Sequence, residues 1–335
     1  MAGRNYQEVF EKFSHLKVMV IGDVMVDAYI FGRVERISPE APVPVVSVER
    51  RVNRLGGAAN VALNLKSLGA KPYLCSVIGH DPKGEEFVKL LAEAGIDGEA
   101  VVRSIERITT TKFRVIGNKT QMLRVDEEVT NDLSPAEESV LLEKIKGIID
   151  RKAVDALIFQ DYNKGTLSPG LITQIIDKAG VAGIPVAVDP KKNNFLHYKQ
   201  ATLFKPNLKE LREGLNTDIV VNDLESLKEA TSYLHKELGI KMIMTTLSEK
   251  GMFISFNDAD GRLVQEVIPA HIRNIADVSG AGDTVISIAT LCLAAGMEPQ
   301  AIAALSNLAG GLVCEEVGVV PIDREKLLKE AITIL

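Results

Sequence analysis

The chain has 335 residues, 46% apolar and 25% charged, with 39 Lys and Arg against 45 Asp and Glu for a net charge of −6. That is ordinary globular composition, enough for about two domains or one large domain with an appendage. The acidic balance speaks against a non-specific nucleic-acid binder or a polybasic membrane protein, and no apolar run reaches the ~18 residues of a spanning helix.

The N-terminal residues carry charges and no long apolar run, so a signal peptide is not expected and a cytoplasmic protein is the expectation. A helix opens the chain at 6–13, and 16–22 (LKVMVIG) reads as a buried strand entering a glycine turn. The segment 41–48 (APVPVVSV) holds two prolines, which suit an edge strand and not a central parallel ladder. Residues 30–55 therefore read as a small antiparallel element projecting from the body as a cover. Helical spacing returns at 60–67, a strand at 73–78 and a helix at 85–94. Residues 109–125 read as a hairpin around Gly117-Asn118, a second antiparallel piece for the cover. The lid so defined draws on about 28–55 and 109–126. It exposes an apolar Pro-Val strand that is costly to leave in water, so a homodimer paired through the lid is expected.

From 136 onward helices alternate with strands: helix 136–150, strand 154–160, helix 170–182, strand 185–188, strand 201–204, helix 223–237, strand 241–245, a hairpin over 252–267, and helices at 283–295 and 299–314. This alternation predicts an α/β sandwich around a parallel sheet, here one domain over 1–335 with a small β lid. Ligands of such sheets lie beyond the C-terminal strand ends. Asp23, Asp161, Asp189, Asn207 and Thr246 each follow a strand and outline a cleft. Cys75, Cys292 and Cys314 lie far apart in apolar runs without a C-x-x-C, so neither a disulfide framework nor a zinc site is expected.

The strongest constellation is Gly280-Ala281-Gly282-Asp283 before an almost wholly apolar helix. Near-adjacent glycines let backbone N–H groups converge, and the helix N-terminus adds partial positive charge. Such a turn suits a phosphoryl group in transfer, with Asp283 as the base for an attacking hydroxyl, kept charged by the helix dipole. The competing reading is a plain helix cap on a glycine turn. Neither G-x-x-x-x-G-K nor G-x-G-x-x-G is present, so a P-loop or a dinucleotide-binding dehydrogenase finds no support.

The segment closely resembles the second signature of the ribokinase-like (PfkB) carbohydrate kinases, and Gly56-Gly57-Ala58-Ala59-Asn60 resembles the first. The resemblance runs from about 16 to 325. It implies a ribokinase-like three-layer sandwich with a mostly parallel sheet and a β lid. It also implies an anion hole from Gly280, Ala281 and Gly282, with Asp283 as base. Gly56 and Gly57 would allow close backbone approach to a sugar, and Asn60 would meet its hydroxyls. Asn207-Leu208-Lys209-Glu210 looks like the family's N-x-x-E, which arranges Mg²⁺ and phosphate through water. Thr246, Ser248 and Gly251 look like the nucleotide loop, and Asn307 like a residue near adenine. ATP and Mg²⁺ are the implied cofactors.

The dense string Arg36-Ile37-Ser38-Pro39-Glu40-Ala41-Pro42-Val43-Pro44, with Thr111–Val115, Arg124-Val125-Asp126 and Asp161-Tyr162-Asn163-Lys164-Gly165, resembles the heptose-phosphate kinases of the bacterial lipopolysaccharide pathway. The implied reaction is ATP with D-glycero-β-D-manno-heptose 7-phosphate, giving the 1,7-bisphosphate and ADP. Asp23 and Asp27 can accept from sugar hydroxyls, and Lys112, Arg124 and Lys191 can grip the phosphate. For Lys112 and Arg124, pairing on the lid surface is an equal alternative. Asp161 has two readings, substrate contact or loop ordering. The H-x-G-H signature of the nucleotidyltransferase domain joined to many relatives does not occur in 1–335, so a stand-alone kinase is expected. The other readings are a different sugar or sugar-phosphate kinase of the same fold, such as a fructokinase or phosphofructokinase, and a ligand sensor that keeps the fold without turnover.

Overall fold

In chain order the elements begin α1 (Tyr6–Phe13), β1 (Lys17–Gly22), β2 (Val24–Ile37), β3 (Pro44–Gly57), α2 (Ala58–Ser67), β4 (Lys71–Gly79), α3 (Pro82–Glu93) and β5 (Asp97–Ser104). They continue through β6 (Thr111–Gly117), β7 (Thr120–Glu127), α4 (Pro135–Asp150), β8 (Ala156–Gln160), α5 (Pro169–Ala182), β9 (Val186–Asp189) and β10 (Leu203–Phe204). The last are α6 (Leu208–Leu215), α7 (Leu224–Leu238), β11 (Met242–Thr246), β12 (Met252–Asn257), β13 (Leu263–Ile268), α8 (Ala281–Ala294), α9 (Pro299–Val313) and α10 (Arg324–Ile334). The structure is a computed structural model and describes residues 5–151, 153–219 and 223–335. Of the 1–335 span expected as one domain, residues 1–4, 152 and 220–222 lie outside the described residues.

Among the described residues two sheets form. The larger has nine strands in the order β13-β12-β11-β10-β9-β8-β1-β4-β5. It is parallel except for the antiparallel edge β11-β12-β13. All of β8, and β1 beyond Lys17, is buried, as continuous apolar runs demand when both faces are covered. One core packs α1, α2, α3, α8, α9 and α10 on one face, and the other packs α4 to α7 on the opposite face. The result is the ribokinase-like α/β/α sandwich with a small β lid. Local sequence sets the helix starts: Ser134 and Glu137 form a capping box ahead of α4, with Pro135 in its first turn. Asn207 and Glu210 form another at α6. No helix among the described residues is long and apolar enough to cross a membrane.

The lid sheet has the order β3-β2-β6-β7 and occupies 24–57 and 111–127. Pro44 sits at the start of the edge strand β3, where its missing N–H does no harm. The second hairpin, antiparallel within itself, joins the lid as expected, but along a parallel seam. β6 pairs parallel with β2, from Val26↔Thr111 to Gly32↔Gly117. The chain crosses the body between them through β4, α3 and β5, so β6 re-enters in the direction of β2. β5, α6 and α10 were not expected. β5 is short with a mixed pattern, and α6 and α10 are strongly charged, so none carries a long apolar period.

Candidate active site

The parallel strands deliver their polar followers to one edge of the sheet, where the N-terminus of α8 also arrives. Gly280 takes φ +83° as the N-cap, a left-handed conformation natural to glycine. The next residues begin the helix, with Asp283 in its first turn, 7% exposed. A Cβ at Gly282 would lie 3.7 Å from Lys205 Nζ and 3.9 Å from Asp189 Oδ2. A buried ion pair, Lys205 to Asp189 at 3.0 Å, thus sits in van der Waals range of this helix end. Lys205 was missed in the sequence. It directly follows the strand expected over 201–204, so the rule that polar residues after strands outline the cleft could have found it.

Asp283 is held by three donors. Asn60 Nδ2 gives to Oδ2 at 2.6 Å, while Tyr162 Oη at 2.9 Å and Gln160 Nε2 at 3.2 Å give to Oδ1. Burial pushes its pKa up to about 6, against the pull of the Asn60 hydrogen bond and with the push of nearby Asp189. Desolvation thus works against the helix end, and the carboxyl is still mostly ionised at pH 7, as the base role requires. Asn60 Oδ1 and Gln160 Oε1 are buried without partners, two acceptors beside the carboxylate.

A cleft of about 1050 Å³ opens from this point along the sheet edge. Asn207, Glu210, Thr246, Ser248, Gly251 and Asn307 all line it, as do Lys191, Lys205 and 280–283. Glu210 is buried. Its Oε2 accepts from Asn207 N at 2.8 Å, and its Oε1 pairs with Lys191. Lys191, expected at a sugar phosphate, lies on the cleft wall paired with Glu210, its ammonium 5.7 Å from the Tyr162 ring centroid. Among the described residues no three His, Cys, Asp or Glu side chains gather as a protein-only metal cage requires. A single oxygen donor on a cleft wall is what Mg²⁺ takes from a protein when phosphates and waters fill the other positions. Glu210 therefore fits that ion.

Asp161 takes the loop-ordering role that was one of its two readings, and Asp23, expected at sugar hydroxyls, orders the same loop. Asp23 is 1% exposed and accepts from the backbone N–H groups of Tyr162, Lys164 and Thr166 at 2.8, 3.1 and 3.0 Å. Asp161 accepts from Asn163 N, Asn194 Nδ2 and Tyr198 Oη. Both carboxylates thereby fix the 161–166 loop. The glycines before α2 also have a structural reason: a Cβ at Gly56 would lie 2.6 Å from Asp27 Oδ2 and one at Gly57 would meet Asp23 O.

The lid turns a charged face to this site. Strand register sets Arg54, Asp27, Lys112 and Asp126 in one transverse row and Val52, Tyr29, Arg114 and Arg124 in the next row on the same face. Asp27 is ion-paired with Arg114, and Arg54 donates to Val319 O at 3.2 Å. Lys112 is partly buried and makes no ion pair among the described residues. Its ammonium lies 5.9 Å from the Tyr162 ring centroid, and burial, then Lys164, lowers its pKa. Arg124 pairs with Asp126 along its own strand, 54% of its side chain in solvent. Arg54 and Arg114 were missed as site residues, although Arg114 lies two positions from Lys112 on a strand and so on the same face.

The pattern of the pfkB family of carbohydrate kinases matches residues 15–325. The chain belongs to that family. Among curated relatives, this pfkB kinase is 38% identical to the bifunctional protein HldE of Citrifermentans bemidjiense over 98% of its own length and 66% of the relative's. It is 42% identical to HldE of Caulobacter vibrioides over 91% of its length and 61% of that protein's. The chain thus spans about two thirds or less of these relatives. Phosphofructokinase-2 of Escherichia coli, in complex with potassium, shares the fold with a TM-score of 0.77 at 19% identity, covering 94% of this kinase and 98% of that chain. Ribokinase of Arabidopsis thaliana, complexed with ribose and ATP, shares it with a TM-score of 0.71 at 18% identity, covering 96% and 99%.

Proposed function

We propose that this kinase transfers the γ-phosphoryl group of ATP to the C1 hydroxyl of D-glycero-β-D-manno-heptose 7-phosphate, giving the 1,7-bisphosphate and ADP. The observation that carries the reading is the position of Asp283, with the nucleotide-sized cleft on one side and the cationic lid face on the other. The sugar lies between Asp27, Asn60 and the lid, and ATP lies along Asn207, Thr246, Ser248, Gly251 and Asn307. Asp283 takes the hydroxyl proton as O1 forms its bond to phosphorus. The bond from phosphorus to the β–γ bridging oxygen breaks, and ADP leaves with that charge. The N–H groups of 280–282 and the Lys205 ammonium face the oxygens on which charge accumulates. Glu210 would hold a Mg²⁺ ion through water, and that ion would supply charge neutralisation at the phosphates. The buried acceptors of Asn60 and Gln160 suit sugar hydroxyl donors.

The lid supports the choice of a phosphorylated sugar. Four cations, Arg54, Lys112, Arg114 and Arg124, share a face with two carboxylates, Asp27 and Asp126. A partly buried Lys112, in register with Asp27 and Asp126 but in no ion pair among the described residues, has use for a dianion. The heptose itself rests on the resemblance of the 36–44 string and on the similarity to HldE proteins. The opposite lid face, with Phe113, Val115, Leu123 and Val125, is apolar, which supports a homodimer paired there. The test is MgATP turnover on the heptose 7-phosphate beside fructose, ribose and fructose 6-phosphate. Preference for the heptose phosphate supports the reading. Turnover on another sugar alone overturns the substrate, and turnover on none overturns the enzyme reading in favour of a sensor.

A further inference from the structure

We infer that Tyr162 is a positioning residue: its phenol fixes the Asp283 carboxylate so that Oδ2, and not Oδ1, receives the proton of the attacking hydroxyl. The inference rests on the phosphotransfer reading above and deepens it. A carboxylate oxygen offers two in-plane acceptor sites. Oδ1 takes the Tyr162 hydroxyl at 2.9 Å and the Gln160 amide at 3.2 Å, which fills it. Oδ2 takes only Asn60 Nδ2 at 2.6 Å and keeps one site open. Without the phenol the carboxylate has less to stop it tilting about its Cβ–Cγ bond, a soft torsion, out of the plane that aims the open site of Oδ2.

Tyr162 is built for this task. Its backbone N–H is fixed to Asp23 Oδ2 at 2.8 Å, and the loop behind it is tied down by Asp161 through Asn194 and Tyr198. Burial, then the charges of Asp283 and Asp189, push its own ionisation well above the ordinary tyrosine range, so it stays a donor at any working pH. The ring also lies within reach of two ammonium groups, Lys112 at 5.9 Å from the lid and Lys191 at 5.7 Å from the nucleotide cleft. One side chain therefore touches the base, the cation offered to the sugar phosphate and the cation beside Glu210.

The groups facing Asp283 are Asn60 from α2, Gln160 from the end of β8, Tyr162 itself, Asp189 from the end of β9 and Lys205 after β10. Of these, the phenol is removed by a one-oxygen change that leaves every formal charge in place. Tyr162→Phe is the variant, read first by carboxyl titration of the full-length protein labelled with ¹³C-aspartate, with Asp283→Asn supplying the assignment. The Asp283 midpoint should rise from about 6 by roughly one unit, because a donor to the charged form is lost. With sugar and MgATP, kcat should fall more at about pH 6 than at about pH 8, with both KM values within about twofold; these shifts follow the base's titration. Replacing tyrosine with 3-fluorotyrosine keeps the shape and makes the phenol a stronger donor, so the midpoint should move down. A Tyr162→Phe protein that titrates and turns over like the wild type overturns this inference alone. A lower kcat with an unmoved midpoint overturns it as well. A wild type inactive on every sugar overturns the phosphotransfer reading and takes this inference with it.

Discussion

The sheet edge and the lid handle charge in opposite ways. At the sheet edge the buried carboxylates are matched: Asp283 by three donors, Asp189 by Lys205, Glu210 by Lys191, Asp23 by three backbone N–H groups. On the inner face of the lid the cations outnumber the carboxylates, and Lys112 has no ionic partner. A matched, desolvated set is rigid and is already organised for charge that develops in a reaction. An unmatched, half-solvated set is poised for a charge that arrives with a ligand. The sheet edge should therefore govern kcat and the lid KM.

The comparison is broken most directly at Asp283. Asp283→Asn keeps the shape and removes the base, so kcat should fall about 10²–10⁴-fold with little change in either KM. A variant retaining a tenth of wild-type turnover would remove Asp283 from the base role. On the lid, Lys112→Ala should raise KM for a sugar phosphate by roughly 10–100-fold, the range of a charge-assisted contact, and leave kcat nearly unchanged. With an unphosphorylated sugar the same variant should behave as wild type. An equal loss on both sugars would place Lys112 in the fold and not at the phosphate.

The raised pKa of Asp283 sharpens the contrast further. Burial disfavours the charged form, so the base gains its proton as pH falls through about 6. Turnover should then drop roughly tenfold between about pH 7 and about pH 5, as a single titration requires. KM for the sugar phosphate should show no matching step at that midpoint beyond the phosphate's own ionisation. A flat kcat profile across this range would mean that Asp283 is not the group limiting the rate.

How much of this was legible in the sequence follows the same division. The α/β alternation, the lid segments and the glycine turn before α8 were readable, because each rests on local pattern: apolar period, proline placement, adjacent glycines. The nucleotide-side positions were readable through family motifs, and the structure gathers all six on one cleft. What local pattern could not carry was pairing across the chain. Asp23 and Asp161 look the same in sequence as Asp27, each a carboxylate after or within a strand. Only the three-dimensional approach of 162–166, Asn194 and Tyr198 gives the first two their hydrogen-bond partners. Lys205 and Arg54 gain their meaning from residues far away in sequence, Asp189 and Val319. The parallel entry of β6 escaped notice because a hairpin pattern says which strands are neighbours in sequence, not which strand receives them.

The outer face of the lid offers a milder perturbation. Leu123 and Val125 are exposed, at 56% and 43%, in register with Val115 and Phe113. If a second copy covers them, Leu123→Asp with Val125→Asp should convert a dimer to a monomer in light-scattering chromatography. The charged inner face would remain, so kcat should be kept and KM should rise only a few-fold, through a looser lid. A wild type that is monomeric at micromolar concentration would end the pairing idea without touching the chemistry.

Arg124 should give the smallest effect. It shares the inner face with Lys112 and Arg114, so register alone would rank it with them as a phosphate ligand. Its guanidinium, however, is satisfied by Asp126 through two hydrogen bonds of 3.0 Å, and more than half of the side chain meets solvent. An exposed pair of this kind contributes about 0–1 kcal/mol, and its charge is screened by salt. Arg124→Ala should thus change KM for a sugar phosphate by about threefold or less, and high salt should erase the difference. A tenfold rise would show that Arg124 leaves Asp126 when substrate binds. The line between matched and unmatched charge would then have to be drawn inside the lid, instead of between the lid and the sheet.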